Sequence, residues 1–156
     1  MNVLDKKKER YRTIIKILDS LYIEEADLTA NMANTAAVLK EYMGFFWVGF
    51  YLVDKKDNQL VVGPYQGPLA CGRIDSGKGV CGQSWQKAET IVVDDVHSFA
   101  GHISCSPLSK SEIVVPIKVG GEVRAVLDVD SDRLSDFDKV DQEFLESICS
   151  EMEKLF

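Results

Sequence analysis

The segment Glu112-Ile-Val-Val-Pro-Ile-Lys-Val-Gly-Gly-Glu-Val-Arg-Ala-Val-Leu-Asp-Val-Asp130 has few ways to fold other than as a β-hairpin. Two strand-like apolar runs flank Gly120-Gly121, and glycine supplies the positive φ that a tight turn needs. Two registers compete. A two-residue turn pairs Val119 with Glu122 and sets Ile113, Val115 and Ile117 against the mixed set Arg124, Val126 and Asp128. A three-residue loop over 120–122 instead pairs Val119 with Val123, Ile117 with Ala125, Val115 with Leu127 and Ile113 with Val129. Every residue on that face is then apolar. A one-residue slip turns every side chain over, so burial selects the second register.

The opposite face of the hairpin carries Glu112 directly across from Asp130, with Asp128 one step along. Like charges facing each other across strands are destabilising. Three acids together therefore call for a proton, a metal ion or a cationic ligand, unless water reaches the face and Arg124 and Lys118 share it. Clustered carboxylates raise one another's pKa, which would make one of them a proton donor near neutral pH.

Around the hairpin the hydrophobic period changes twice. Tyr11, Ile14, Ile15, Leu18, Leu21 and Tyr22 recur at helical spacing from about Lys6 to Ile23, and Met32, Ala36, Leu39 and Met43 mark a second helix over Leu28–Met43. Trp47 to Val53 reads as a strand with Trp47, Gly49 and Tyr51 on one face, followed by a short partner over Gln59–Val62. Residues 63–82 hold six of the eleven glycines and read as a long irregular loop. A short helix near Gly82–Ala88, a strand at Thr90–Val93 and a second loop over 94–111 lead into the hairpin. A helix from Ser135 to Phe156 closes the chain, with Phe137, Val140, Phe144, Ile148 and Met152 inward. This order predicts an α+β fold in one domain over 1–156.

Composition removes several functions. Eighteen Lys+Arg against 25 Asp+Glu give a net charge of -7, the wrong sign for nucleic acid or an anionic membrane surface. The hydrophilic start and the absence of a long apolar run predict a cytoplasmic protein with no membrane span. In that reducing setting Cys71, Cys81, Cys105 and Cys149 are expected as thiols. Cys149, beside Ile148, reads as helix packing. The other three fall in the two loops, where thiols are poor candidates for mere packing. Zinc is not expected, because structural sites show a close C-x₂₋₄-C pair and Cys71 and Cys81 are ten apart. Gly72–Gly79 imitates a phosphate loop, but Gly79 stands where a Ser/Thr hydroxyl would hold magnesium. His97 and His102 carry no assigned chemistry. A low-pKa thiol oxidised to a sulfenic acid and trapped by a second cysteine is the chemistry that loop thiols above an acidic pocket suggest.

The segments Trp47-Val-Gly-Phe-Tyr51, Gly63-Pro-Tyr-Gln-Gly67, Ala70-Cys-Gly-Arg-Ile74, Gly77-Lys-Gly-Val-Cys-Gly82, Gly101-His-Ile-Ser-Cys105, Ser111-Glu-Ile-Val-Val-Pro116 and Leu127-Asp-Val-Asp-Ser131 resemble the free methionine-(R)-sulfoxide reductases, enzymes of the GAF fold. The resemblance covers about residues 10 to 150. It implies a GAF-like central antiparallel sheet, with N- and C-terminal helices on one face and active-site loops on the other. It further implies thiol-dependent reduction of free L-methionine-(R)-S-oxide without a cofactor. Cys105 becomes the attacking thiol, Cys81 and Cys71 the resolving candidates, and thioredoxin or a similar dithiol the reductant. Glu112, Asp128 and Asp130 match the acidic residues of the substrate pocket, and Trp47 and Tyr51 its aromatic lining. The sequence departs from the family pattern at Ser106, Asp94 and Ala100, where Asp, Pro and Pro are usual. A homodimer through the first and last helices is compatible with the fold, although no residue specifies it. Two rivals stay open: a GAF-like small-ligand sensor, disfavoured by a chain that ends at Phe156 without an output domain, and a thiol redox switch.

Overall fold

A computed structural model describes residues 1–103 and 105–156. Two helices, α1 (Val3–Glu24) and α2 (Leu28–Met43), precede strands β1 (Trp47–Asp54), β2 (Gln59–Gln66) and β3 (Arg73–Asp75). Helix α3 (Gly79–Lys87), strand β4 (Ile91–Val93) and a single 3-10 turn at Val96–Ser98 lead to the hairpin β5 (Ser111–Val119) and β6 (Glu122–Ser131). Helix α4 (Lys139–Met152) and a last 3-10 turn, Glu153–Leu155, end the chain. The strands form one antiparallel sheet in the order β3-β2-β1-β6-β5-β4. Among the described residues no helix is long and apolar enough to cross a membrane.

Each of α1, α2 and α4 begins where a short polar side chain can satisfy its free amides. Asn2 accepts from the Asp5 amide and Asp27 from the Ala30 amide, each at 2.8 Å, and Asp138 and Asp141 form a reciprocal capping box on α4. Gly44 ends α2 at φ +69°, a left-handed conformation that glycine adopts without strain. Helices α1, α2 and α4 cover one face of the sheet. Tyr11, Ile14, Leu18, Met32, Leu39, Leu145 and Ile148 pack there on Val48, Phe50, Ile113, Val115, Leu127 and Val129. The helices are also tied to each other by a buried polar knot. The Tyr11 hydroxyl donates to Asp141 Oδ1 at 2.6 Å, and Lys7 Nζ donates to Asp141 at 2.8 Å and Asp138 at 2.9 Å. Cys149 packs in this layer with 2% exposure, as its place beside Ile148 on α4 predicts.

The hairpin keeps the register that burial demands while using the other turn. Ile113 pairs with Val129, Val115 with Leu127, Ile117 with Ala125 and Glu112 with Asp130, as expected. The loop, however, is the two-residue Gly120-Gly121 turn, with φ +61° and +82°, and Val119 pairs with Glu122. A bulge between Ile117 and Lys118 reconciles the two, because Arg124 is the extra residue between Val123 and Ala125. Two consecutive positive φ values match the twist of a tight hairpin. The bulge then resets the alternation so that the apolar face stays whole.

The glycine-rich stretch is more ordered than its composition suggests. Strand β2 runs on to Gln66, beyond Val62, and β3 lies inside the region expected as loop. Helix α3 begins at Gly79, so Cys81 sits in its first turn and is 4% exposed. Cys81 is therefore a helical and buried cysteine, and the loop placement is corrected. Glycine density signals close packing here: a Cβ at Gly82 would lie 2.6 Å from the Asp75 carbonyl oxygen. At the C-terminus, regular helix is confined to Lys139–Met152, and Leu145 is buried where Phe144 is only half-buried.

Candidate active site

The face of the sheet away from α1, α2 and α4 holds a second buried cluster, in which Trp47 and Tyr51 from β1 meet Val80 and Cys81 from α3 and Val114 and Val126 from the hairpin. Strand pairing puts the carboxylates into this cluster. Asp130 lies between Trp47 and Glu112, and Asp128 lies between Gly49 and Val114. Glu112 and Asp128 are 8% and 5% exposed. Neither cation expected to share the face reaches them. Lys118 donates to the Ala88 carbonyl at 3.2 Å, and the bulge sends Arg124 over the Phe156 ring on the helical side. Among the described residues no Lys, Arg or His nitrogen lies within 4.0 Å of the three carboxylates. The reading in which the charges are simply solvated therefore fails.

The electrostatic consequence is a rise in all three carboxyl pKa values. Burial, then the neighbouring charges of Asp128 and Asp130, hold the Glu112 carboxyl well above the usual carboxylate range. Burial and the Asp128 charge do the same to Asp130, and burial also raises Asp128, partly offset by hydrogen bonds to Glu112 and Cys81. The Cys81 thiol, whose Sγ donates to Glu112 Oε2 at 3.9 Å, is pushed up by burial and by the same acids. Asp128 Oδ1 is buried without a hydrogen-bond partner among the described residues.

A cavity of about 50 Å³ opens above these acids. Its aromatic wall is Trp47, stacked between Tyr65 and Tyr51 with ring centres 5.1 Å and 6.1 Å away. Both expected aromatics also anchor the loop above them. Trp47 Nε1 donates to the Pro68 carbonyl at 3.0 Å and the Tyr51 hydroxyl to the Cys71 carbonyl at 2.9 Å. Leu69 and Ala70 from one loop and His102, Ile103, Cys105, Ser106 and Ser109 from the other form the rim, and Cys105 is joined to Cys71 in a disulfide with their Cα atoms 5.3 Å apart. Cys105 is exposed, Cys71 half-buried, and Cys81 remains a free thiol beneath them. Ser106, the departure beside Cys105, accepts from the Leu108 amide through its hydroxyl at 3.4 Å and so helps shape this loop.

Sequence reasoning misses three groups of the site. Tyr65 is hidden because the hydrophobic pattern ends β2 at Val62, short of its true end. Gly49 is its complement: an added Cβ would lie 2.2 Å from Tyr65 Cβ and 2.8 Å from Tyr65 Cα. Gly49→Ala is expected to lose about 1–3 kcal/mol through overpacking and to lower Tm by roughly 2–12 °C, read by thermal melting; an unchanged Tm would show that the aromatic wall absorbs the methyl. Lys78 and His102 also line the cavity. Burial and the nearby His97 ring, 6.0 Å away, lower the His102 pKa and favour its neutral form.

The sulfur of Cys81 and the carboxyl oxygens of Glu112 and Asp128 lie within 4.8 Å of one another. Such donors can hold a divalent cation, and they come from α3, β5 and β6, so no C-x₂₋₄-C spacing could have revealed them. A proton shared among the carboxyls is the other way of relieving the repulsion, in line with their raised pKa values.

A profile of the GAF domain family matches residues 25–155. The structure of free methionine-R-sulfoxide reductase from Neisseria meningitidis, determined in complex with its substrate, superposes with a TM-score of 0.94 at 51% identity, covering 96% of this chain and 90% of that one. Free methionine-R-sulfoxide reductase of Escherichia coli is 39% identical over 150 residues, 96% of this chain and 90% of the relative. The chain belongs to the free methionine-(R)-sulfoxide reductases. GAF domain-containing protein A of Dictyostelium discoideum is also similar, 51% identical over 142 residues, 91% of this chain and 89% of the relative. Membership of the free methionine-(R)-sulfoxide reductases makes the protein an enzyme and an oxidoreductase, and sets aside the readings as a ligand sensor or a thiol switch.

Proposed function

We propose that this cavity reduces free L-methionine-(R)-S-oxide to methionine, with Cys105 as nucleophile, Cys71 as resolving thiol and the Glu112–Asp128–Asp130 group as proton donor. The observation that carries this reading is the juxtaposition of the Cys71–Cys105 pair, with Cys105 exposed, and a cluster of carboxyls whose pKa values are raised by burial. In the reduced enzyme the Cys105 thiolate attacks the sulfoxide sulfur while a protonated carboxyl, Glu112 or Asp130, donates to the oxygen. The sulfoxide gains two electrons and leaves as methionine, and Cys105 retains the oxygen as a sulfenic acid. The Cys71 thiol then displaces water, forming the disulfide. A dithiol such as thioredoxin reopens it by exchange and becomes a disulfide itself. Cys105 is exposed enough for that partner to reach it, whereas Cys81 is not.

The same residues explain a preference for the free amino acid. Negative charge left on the carboxyl group complements the substrate ammonium, Lys78 faces its carboxylate, and Trp47 packs on the S-methyl end with a sulfur–aromatic contact. A methionine inside a polypeptide has no ammonium to offer. An NADPH-linked thioredoxin assay tests this directly. Turnover of the free R epimer is expected, with rates at least about 100-fold lower for the S epimer and for N-acetylmethionine-(R)-sulfoxide. Equal rates on the acetylated compound would remove ammonium recognition, and no turnover of any of the three by reduced protein would overturn the assignment of the site.

A further inference from the structure

Cys81 and Cys105 line the cavity, and Cys105 is joined to Cys71, which leaves Cys81 as the free thiol of the site. Resting on the function proposed above, we infer that Cys81 is a positioning residue for the proton donor: its thiol donates to Glu112 and holds that carboxyl toward the substrate, and it takes no part in the disulfide.

Three observations carry this role. The first is placement. Cys71 and Cys105 sit on rim loops, whereas Cys81 occupies the first turn of α3. That turn is clamped: the Gly77 amide donates to the Gly82 carbonyl at 3.0 Å, the Gly79 amide to the Gly101 carbonyl at 3.0 Å, and Gly82 packs against the Asp75 backbone with no room for a side chain. A resolving thiol must swing to meet a sulfenic acid; this one is held. The second is partnership. Cys81 Sγ is 3.9 Å from Glu112 Oε2, and its sulfur, Glu112 and Asp128 present their polar atoms within 4.8 Å of one another. Glu112 needs such a donor, because among the described residues no cation approaches it and its polar neighbours on β6 are acids. The third is protonation. Burial and the surrounding acids disfavour the thiolate that nucleophilic attack would require, while leaving the S–H available as a donor.

The roles separate by chemistry, since serine keeps a hydrogen-bond donor and loses the redox function, whereas alanine loses both. Reduced protein is mixed with one equivalent of free methionine-(R)-sulfoxide, and methionine release is followed in a single turnover across pH. Cys81→Ala is expected to release methionine roughly tenfold more slowly, with a displaced alkaline limb, and Cys81→Ser to recover most of that rate. Peptide mapping of the unaltered protein after the turnover is expected to find Cys71 joined to Cys105, with Cys81 reduced. A serine variant as slow as alanine, both variants as fast as the parent, or a disulfide containing Cys81 would each overturn the proposal. The map needs no variant, so it decides even if Cys81→Ala does not fold. Cys105→Ser run in parallel tests the underlying mechanism separately: methionine release from that variant would sink the assigned nucleophile whatever Cys81 does.

Discussion

Cys105→Ser is expected to leave a folded protein that binds free methionine-(R)-sulfoxide and reduces it at least about a thousandfold more slowly. The side chain is exposed on the rim, so its replacement removes no packing. The cavity floor of carboxyls and aromatics, to which binding is assigned in the proposed function, is untouched. A serine hydroxyl is not ionised near neutral pH and is a far weaker nucleophile than a thiolate, so the attack on sulfur is lost. Isothermal titration should therefore detect sulfoxide binding to the variant, and titration with methionine, which neither protein consumes, should give a Kd within a few-fold of the reduced parent's, while the coupled assay gives no rate above background. A Cys105→Ser protein that still turns over would transfer the nucleophilic role elsewhere; loss of binding would place Cys105 in recognition.

Glu112→Gln is expected to raise stability and lower activity together. The sign follows from the buried acids. The folded pKa of Glu112 lies well above its unfolded value, so its contribution to stability is fully present below the unfolded pKa and is lost as pH rises through the folded one. Near neutral pH and above, the folded protein keeps a proton against bulk solution or confines like charges in a dry cluster. The substituted glutamine carries no such linkage, and its amide can donate to Asp128 Oδ1, which has no partner among the described residues. We expect a gain of about 0.5–2 kcal/mol at pH 8, visible as a rise in Tm that shrinks toward pH 4. The catalytic rate should fall about 100-fold or more, because an amide delivers no proton to the departing oxygen. In the parent enzyme the rate should decline as pH rises through this same raised pKa. A variant of lower stability at pH 8 would refute the electrostatic account, and an unchanged rate would remove Glu112 as donor and leave Asp130.

Much of this arrangement is legible in the chain. The alternation in residues 112–130 places Glu112 opposite Asp130 and Asp128 on the same face, because burying Ile113, Val115, Leu127 and Val129 leaves them no other side. The period-3.6 stripes locate α1, α2 and most of α4, and the segment resemblance points to the reductase family. The turn is not legible, because burial and turn geometry pull toward different registers, and only an assembled sheet shows that a bulge at Arg124 satisfies both. That bulge also carries Arg124 away from the acids, so that among the described residues they form no ion pair and their pKa values rise. Glycine-rich composition conceals β3 and the start of α3, since glycine marks close backbone approach as readily as it marks a loop. The pairing of Cys71 with Cys105, 34 residues apart, and the meeting of Cys81 with Glu112 depend on contacts between separate elements. Hydrophobic period is a local property that the sequence determines by itself; which thiol faces which carboxyl is set by how α3 and the two loops settle on the finished sheet, and that only the tertiary structure decides.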